Sequence, residues 1–213
     1  NEHFSLDDFS DNNNDNENEP DDLSDPKWLA GCDATSWNSQ ECNDGEFDPD
    51  DGNGHGTHVA GIALGTGDSR RVNQGYAPGS YLVDVKVMTD SGGSAGGDEG
   101  PIIKGLQWVL QNVNTDWGNN DSSEGIDIMT MSFGSGSSPV GENDQGDDGN
   151  NSAARLVNNC ADAGIVPIAA IGNDGTNRVT SVGAADSSIT VGAIDDKNTI
   201  PVSYTHLTLP TRA

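Results

Sequence analysis

The segment Asp51–Gly65, "DGNGHGTHVAGIALG", places two histidines three residues apart in a glycine-rich approach to an apolar stretch. A neutral imidazole accepts a proton near neutral pH, which suits a histidine to work as a general base. Gly54 and Gly56 flank His55, so little side-chain bulk would stand between it and a substrate. A helix starting near Thr57 sets His55 at its N-terminal edge, where the helix dipole disfavours imidazolium. His58 falls one turn further on, among Val59, Ala60 and Ile62, and reads as a packed core residue. Zinc binding by the pair is the rival chemistry. It fits poorly, because the helical zinc signature needs i, i+4 spacing and a glutamate, and "HGTH" has neither. A histidine base also needs a nucleophile to activate and a carboxylate to orient it.

The elements that must position such a base follow from periodicity. "YLVDVKVM" (Tyr81–Met88) alternates apolar and polar residues and runs into "TDSGGSAGG", as a strand entering a loop does. "PIIKGLQWVLQNV" carries Ile102, Ile103, Leu106, Val109, Leu110 and Val113 at helical spacing. Pro101 suits the first turn of that helix, and Asp98 and Glu99 lie near the positive end of its dipole. Ile126–Gly134 reads as a second strand, and "NSAARLVNNCADAG" as a second helix with Gly164 as its stop. "IVPIAAIGNDG" is a third strand and Ser187–Asp195 a fourth. Such alternation predicts an α/β fold, a doubly wound parallel sheet with helices on both faces. Chemistry in these sheets collects in loops at the strands' carboxyl ends, here "SGGSAGG", "SFGSGS" and "GNDG".

Charge narrows the partners. Nine Lys+Arg against 35 Asp+Glu give a net charge of −26, which makes nucleic acid and anionic membrane surfaces poor partners, so neither is expected. Two readings of the acidity stay open. One is a solvated surface suited to salty water; the other is calcium binding by "DNNNDNENEPDD" and "FDPDDGNG". No EF-hand loop supports the second. No run is long and apolar enough to span a membrane, and no signal peptide is visible. Cys32 and Cys42 bracket the polar loop "CDATSWNSQEC", either as a disulfide of a secreted protein or as two loop thiols. Cys160 shares helical spacing with Ala153, Leu156 and Val157 and reads as a buried small residue.

"GHGTHVAGI" resembles the histidine segment of the subtilisin-like serine proteases, the subtilases of peptidase family S8. Four further blocks follow in the family's order: "GYAPGSYLVDVKVM", "GGSAGG", "IMTMSFG" and "AAIGNDG". The resemblance implies that His55 is the general base and Asn173 the side-chain donor to the tetrahedral oxyanion. It implies that Gly92, Gly93, Ser132, Phe133 and Gly134 are rails along which a protein or peptide substrate lies extended as an added strand. Amide NH2 is a donor with no proton of its own to lose, and its removal costs about 10²–10³ in rate, a figure from subtilisin itself. The family needs no cofactor, although calcium as a structural ion fits it; the metal ligands are unknown. A secreted, monomeric endopeptidase is expected. Two positions depart from the family: the loop "GTGDSRRVNQGYAPG" is short where some members bind calcium, and Thr130 replaces an asparagine. Asp174, beside Asn173, points to basic side chains at the cleaved position.

The family's remaining triad members have no match. "NEHFSL" resembles the stretch just after D-[TS]-G, so the catalytic Asp is expected about five residues before Asn1. Asp44, Asp48, Asp50 and Asp51 are nearer His55, but they lie in an irregular acidic loop rather than at the end of a buried strand. The serine block G-T-S-M-A-x-P is expected after Ile200, where "PVSYTHLTLPTRA" stands instead. Val202–Thr211 match the translation of a transposase-based sequencing adapter without a mismatch, against a divergent strand as the alternative. Residues 1–200 therefore read as a partial peptidase domain, with 1–50 acidic and irregular and 51–200 a sheet-and-helix core. Residues 201–213 read as an adapter-derived tail. The chain so clipped is expected to be inactive. The alternative function is a non-catalytic, subtilase-like module that binds peptides or calcium.

Overall fold

The computed structural model describes residues 27–35, 42, 51–67, 74–89, 99–118, 125–134, 149–173 and 179–194. The chain divides into two compact units. One comprises Asn1–Trp108 and Asp116–Glu124, the other Val109–Thr115 and Gly125–Ala213.

In the first unit β1 (Trp28–Asp33) and β2 (Leu82–Lys86) pair in parallel, with Ala30 opposite Val83 and Cys32 opposite Val85. β1 corrects the expectation that residues 1–50 are irregular throughout. Ala30, Gly31 and Cys32 are buried in it. "WLAGC" is a short uncharged run whose signal is drowned by the acidic residues around it, and it becomes a strand by pairing along β2. Between them in sequence lies α1 (His55–Leu64), and after β2 comes α2 (Glu99–Gln111), of which this unit takes the part through Trp108. Of the apolar stripe its spacing predicts, α2 buries Ile102, Leu106 and Val109, while Ile103, Leu110 and Val113 are half-buried; Trp108, outside that stripe, is buried as well. Its fit on β2 is close: a Cβ at Gly105 would stand 2.6 Å from Val87 Cγ1 and 3.1 Å from Val85 Cγ1. Trp108 stacks on Trp117, with ring centroids 6.1 Å apart.

α1 begins two residues earlier than expected, so His55 is its first residue. Thr57 is the buried residue of this helix, and His58 is exposed. The placement of His58 in a core is therefore wrong. Its neighbours Val59 and Ala60 are half-buried and Ile62 is 51% exposed. Helical spacing alone does not say which face a neighbouring element covers. The far end of α1 is tied by Lys27, whose Nζ donates to the carbonyls of Leu64 at 2.5 Å and Pro78 at 2.7 Å. A cation there complements the negative end of the helix dipole.

The second unit holds β3 (Ile128–Met131), α3 (Ser152–Asp162), β4 (Val166–Ala170) and β5 (Ile189–Val191). Its strands run parallel in the order β3-β4-β5, with Thr130 opposite Ile168 and Ile168 opposite Ile189. Asn151 caps α3 by accepting the Ala154 N–H at 2.7 Å. Ala153, Ala154, Val157 and Cys160 form its buried stripe, and the helix packs on β4. After α3, Gly164 turns the chain at φ 107, the stop the sequence marks. Strand alternation buries Met129, Met131 and Ala169 on one face. On the other, Ile128, Val166, Ile189 and Val191 are exposed. Among the described residues every strand pairing is parallel, β1-β2 in one unit and β3-β4-β5 in the other, as an incomplete α/β fold of the expected class gives.

Candidate active site

His55 is presented by a loop whose shape one carboxylate dictates. Asp51 Oδ1 accepts the N–H groups of Asn53 at 3.1 Å and Gly54 at 2.8 Å. Its Oδ2 accepts the N–H and the hydroxyl of Thr57, both at 2.7 Å. Gly54 is the N-cap of α1 at φ 84, a conformation that disfavours any residue with a Cβ. The His58 N–H then donates to the Gly54 carbonyl at 3.1 Å and starts the helix. The imidazole is exposed between two glycines, open to an incoming group. Partial burial by itself raises the Asp51 carboxyl. The bonds from Thr57, Gly54 and Asn53 outweigh it and hold the group below the usual carboxylate range. Asp51 is thus ionised wherever a histidine base works.

The second unit gathers the other residues. Ser132, Phe133 and Gly134 follow the carboxyl end of β3, and Gly172 and Asn173 follow that of β4. Both segments meet around Thr180. A Cβ on Gly134 would lie 2.2 Å from Thr180 Cβ, and one on Gly172 would lie 3.2 Å from Thr180 Cγ2. Thr180 is itself anchored: its hydroxyl donates to the Ala170 carbonyl at 2.7 Å and accepts the Gly183 N–H at 3.1 Å. Its own N–H donates to the Ile171 carbonyl at 3.1 Å. Gly172 turns at φ 111, and Asn173 emerges from that turn exposed. A cavity of about 320 Å³ opens beside the strands' carboxyl ends, lined by Met131, Ser132, Ala170 and Val191 among others.

The structure therefore brings Ser132–Gly134 and Asn173 together in the second unit and sets His55 in the first. Gly92, Gly93 and Asp174 lie outside the described residues. Cys32 and Cys42 are joined by a disulfide with a Cα–Cα distance of 4.4 Å. Cys160 is fully buried, and that burial pushes its thiol up to about 11. Among the described residues no three His, Cys, Asp or Glu side chains gather as a metal site, and no helix is long and apolar enough to cross a membrane. Two roles escaped the sequence reading: Asp51 is weighed there only as a stand-in for the orienting carboxylate, and Thr180 is not singled out. Asp51 carried a usable signal, since Asp followed by Gly-Asn-Gly is turn chemistry ahead of a helix. Thr180 carried none, because its role exists only through contact with two distant glycines.

The sequence profile described as the subtilase family, peptidase S8, matches residues 4–209. Over 155 residues the chain is 37% identical to serine protease AprX of Bacillus subtilis (strain 168), covering 71% of this chain and 32% of that protein. It is 34% identical over 155 residues to subtilisin DY of Bacillus licheniformis, covering 71% of this chain and 47% of the relative. Among solved structures, Sphericase matches with a TM-score of 0.55 at 26% identity, over 77% of this chain and 46% of the other. The chain spans about a third to a half of the length of these curated relatives. With the profile matched from end to end of the described residues, and parallel strands and helices that superpose on a subtilisin-like structure, the chain belongs to the subtilase family.

Proposed function

We propose that this chain carries part of the catalytic domain of a serine endopeptidase, with His55 as its general base. The observation that supports this most is the placement of His55 itself. It is exposed at the first residue of α1, flanked by glycines, on a loop braced by a carboxylate. In this reading His55 takes the proton of a serine hydroxyl as the serine attacks a peptide carbonyl, and later gives it to the leaving amine. Asn173 donates its side-chain N–H to the oxyanion. Ser132, Phe133 and Gly134, with Gly92 and Gly93, pair with an extended peptide backbone. No residue of the 213 is assigned as the serine or the orienting aspartate. The disulfide in β1 supports an extracellular setting, since such bonds persist in oxidising compartments.

The test is hydrolysis of a chromogenic peptide by the full-length gene product and its variants. His55→Ala is expected to lower kcat by about 10⁶, a figure that comes from subtilisin. Asn173→Ala is expected to lower it by about 10²–10³ with KM little changed. Full activity in His55→Ala refutes the assignment. A full-length product that binds peptides tightly and cleaves none would instead be a binding module. The purified 213-residue chain is expected to cleave nothing, and peptide hydrolysis by it refutes that expectation.

A further inference from the structure

Asp51 stands four residues before His55, and its two oxygens act on opposite sides of the histidine. Oδ1 closes the loop that leads in, through the N–H groups of Asn53 and Gly54. Oδ2 fixes the first helical turn that leads out, through the N–H and hydroxyl of Thr57. His55 is therefore bracketed, with Gly54 and Thr57 both bound to one side chain. Among the described residues the ties at this end of α1 are those to Asp51 and the helix's own first bond, from the His58 N–H to the Gly54 carbonyl. Gly54 has no side chain with which to cap the helix, and its φ of 84 is one conformation among many open to glycine. Among the described residues Thr57 is the buried residue of α1, with Val59, Ala60, Ala63 and Leu64 half-buried, so the first turn is seated mainly through the residue that Asp51 holds. The carboxylate also runs close beneath Gly56, where a Cβ would stand 3.4 Å from Oδ2. An anion at a helix N-terminus is itself favourable.

We propose that Asp51 is a positioning residue for His55. Its carboxylate fixes the backbone on both sides of the imidazole, and with it the direction in which the ring reaches the reacting atoms. It acts through the chain rather than on the ring, since its oxygens serve Asn53, Gly54 and Thr57. The proposal rests on the reading of His55 as general base. It separates Asp51 from the role of an orienting triad carboxylate, which bonds the imidazole directly.

The test measures kcat and KM of the full-length gene product per active site, counted by a serine-directed phosphonate. The variants are Asp51→Ala, Asp51→Asn and Thr57→Val. A misplacement of about 1 Å costs a base about 10² in rate. Asp51→Ala is thus expected to lower kcat per titrated site by about 10- to 100-fold with KM within about twofold. Asp51→Asn keeps one acceptor oxygen and falls between wild type and Asp51→Ala. Thr57→Val keeps the backbone bond and loses only a few-fold. A purely stabilising role predicts a lower Tm with wild-type kcat per titrated site, and that result overturns the proposal. If Asp51→Ala does not fold, the ordering of the other two variants decides. Should the wild type prove inactive, the functional reading fails by itself. The isotope-labelled 213-residue chain then judges the positioning. Ordered His55 ring signals that become averaged in Asp51→Asn support it, and unchanged ring signals overturn it.

Discussion

His55 stands on a helix whose buried residue is Thr57, between Asn53, Gly54 and Thr57, which together donate four hydrogen bonds to the Asp51 carboxylate. Asn173 follows a strand packed under α3, beside a threonine wedged between two glycines. One neighbourhood is shaped by polar bonds that a proton can break. The other is shaped by contact distances that leave no room for a methyl group. The base and the oxyanion donor proposed at these two positions need the same thing, a fixed position, and the two neighbourhoods are held by different physics. The difference predicts that added bulk at Gly134 disturbs the surroundings of Asn173, and that loss of ties or of charge at Asp51 disturbs the loop that carries His55.

The largest effect is expected at Gly134. Its Cβ would lie 2.2 Å from Thr180 Cβ, so Gly134→Ala forces β3 and the Thr180 turn apart. Overpacking of this kind costs about 1–3 kcal/mol, occasionally more, and this contact belongs at the upper end. Thr180→Gly removes the obstructing carbon but also the bonds to Ala170 and Gly183, so alone it destabilises as well. The double variant is expected to be more stable than the sum of the two by about 1–3 kcal/mol in urea unfolding. Additive effects would mean that Thr180 is not the wedge. Protection of amides in α1 should be unchanged throughout.

This contrast also marks what the sequence could show. Strands and helices with a strong period, such as Ile102–Leu106–Val109 in α2 and the Ala153–Val157–Cys160 stripe of α3, were legible because burial on one face repeats along the chain. The start of a helix at the histidine segment and the glycine turn after β4 were legible because turn and cap chemistry is local. β1 was not, since five uncharged residues do not stand out in an acidic segment until β2 lies beside them. His58 was misplaced because a helix face is buried only if something covers it. Thr180 was invisible, as any contact between residues 46 positions apart is, when neither residue type announces it.

A smaller effect should fall on the first unit alone. The Cys32–Cys42 bond closes a loop with a sequence separation of 10, which in the chain-entropy estimate contributes about 2–3 kcal/mol. Replacing both with serine should lower amide protection in β1 and β2 by that amount. Protection in β3, β4 and α3 should hold. Equal losses in both sets would show that the two units unfold together, and the contrast between them would then describe geometry only.

The smallest effect is set by pH, and its sign differs between the units. Asp51 is held below its ordinary value near 4, so its contribution is complete above about pH 4. It is lost as pH falls through the lower, folded value, and the loss begins in the loop that carries His55. Cys160 is raised from about 9 to about 11 by burial. Its contribution is complete below about pH 9 and is lost between about 9 and 11, because the unfolded thiol ionises first. Many other carboxylates titrate in acid, 35 Asp and Glu in all, so the comparison must be between variants. Asp51→Asn should flatten the acid limb of Thr57 amide protection and leave the alkaline limb of α3 unaltered. Cys160→Ala, though it also leaves a small cavity, should flatten the alkaline limb of α3 and leave Thr57 as it was. If either substitution flattens both limbs, the protonation of one unit is felt in the other, and His55 and Asn173 are held by one coupled structure rather than by two.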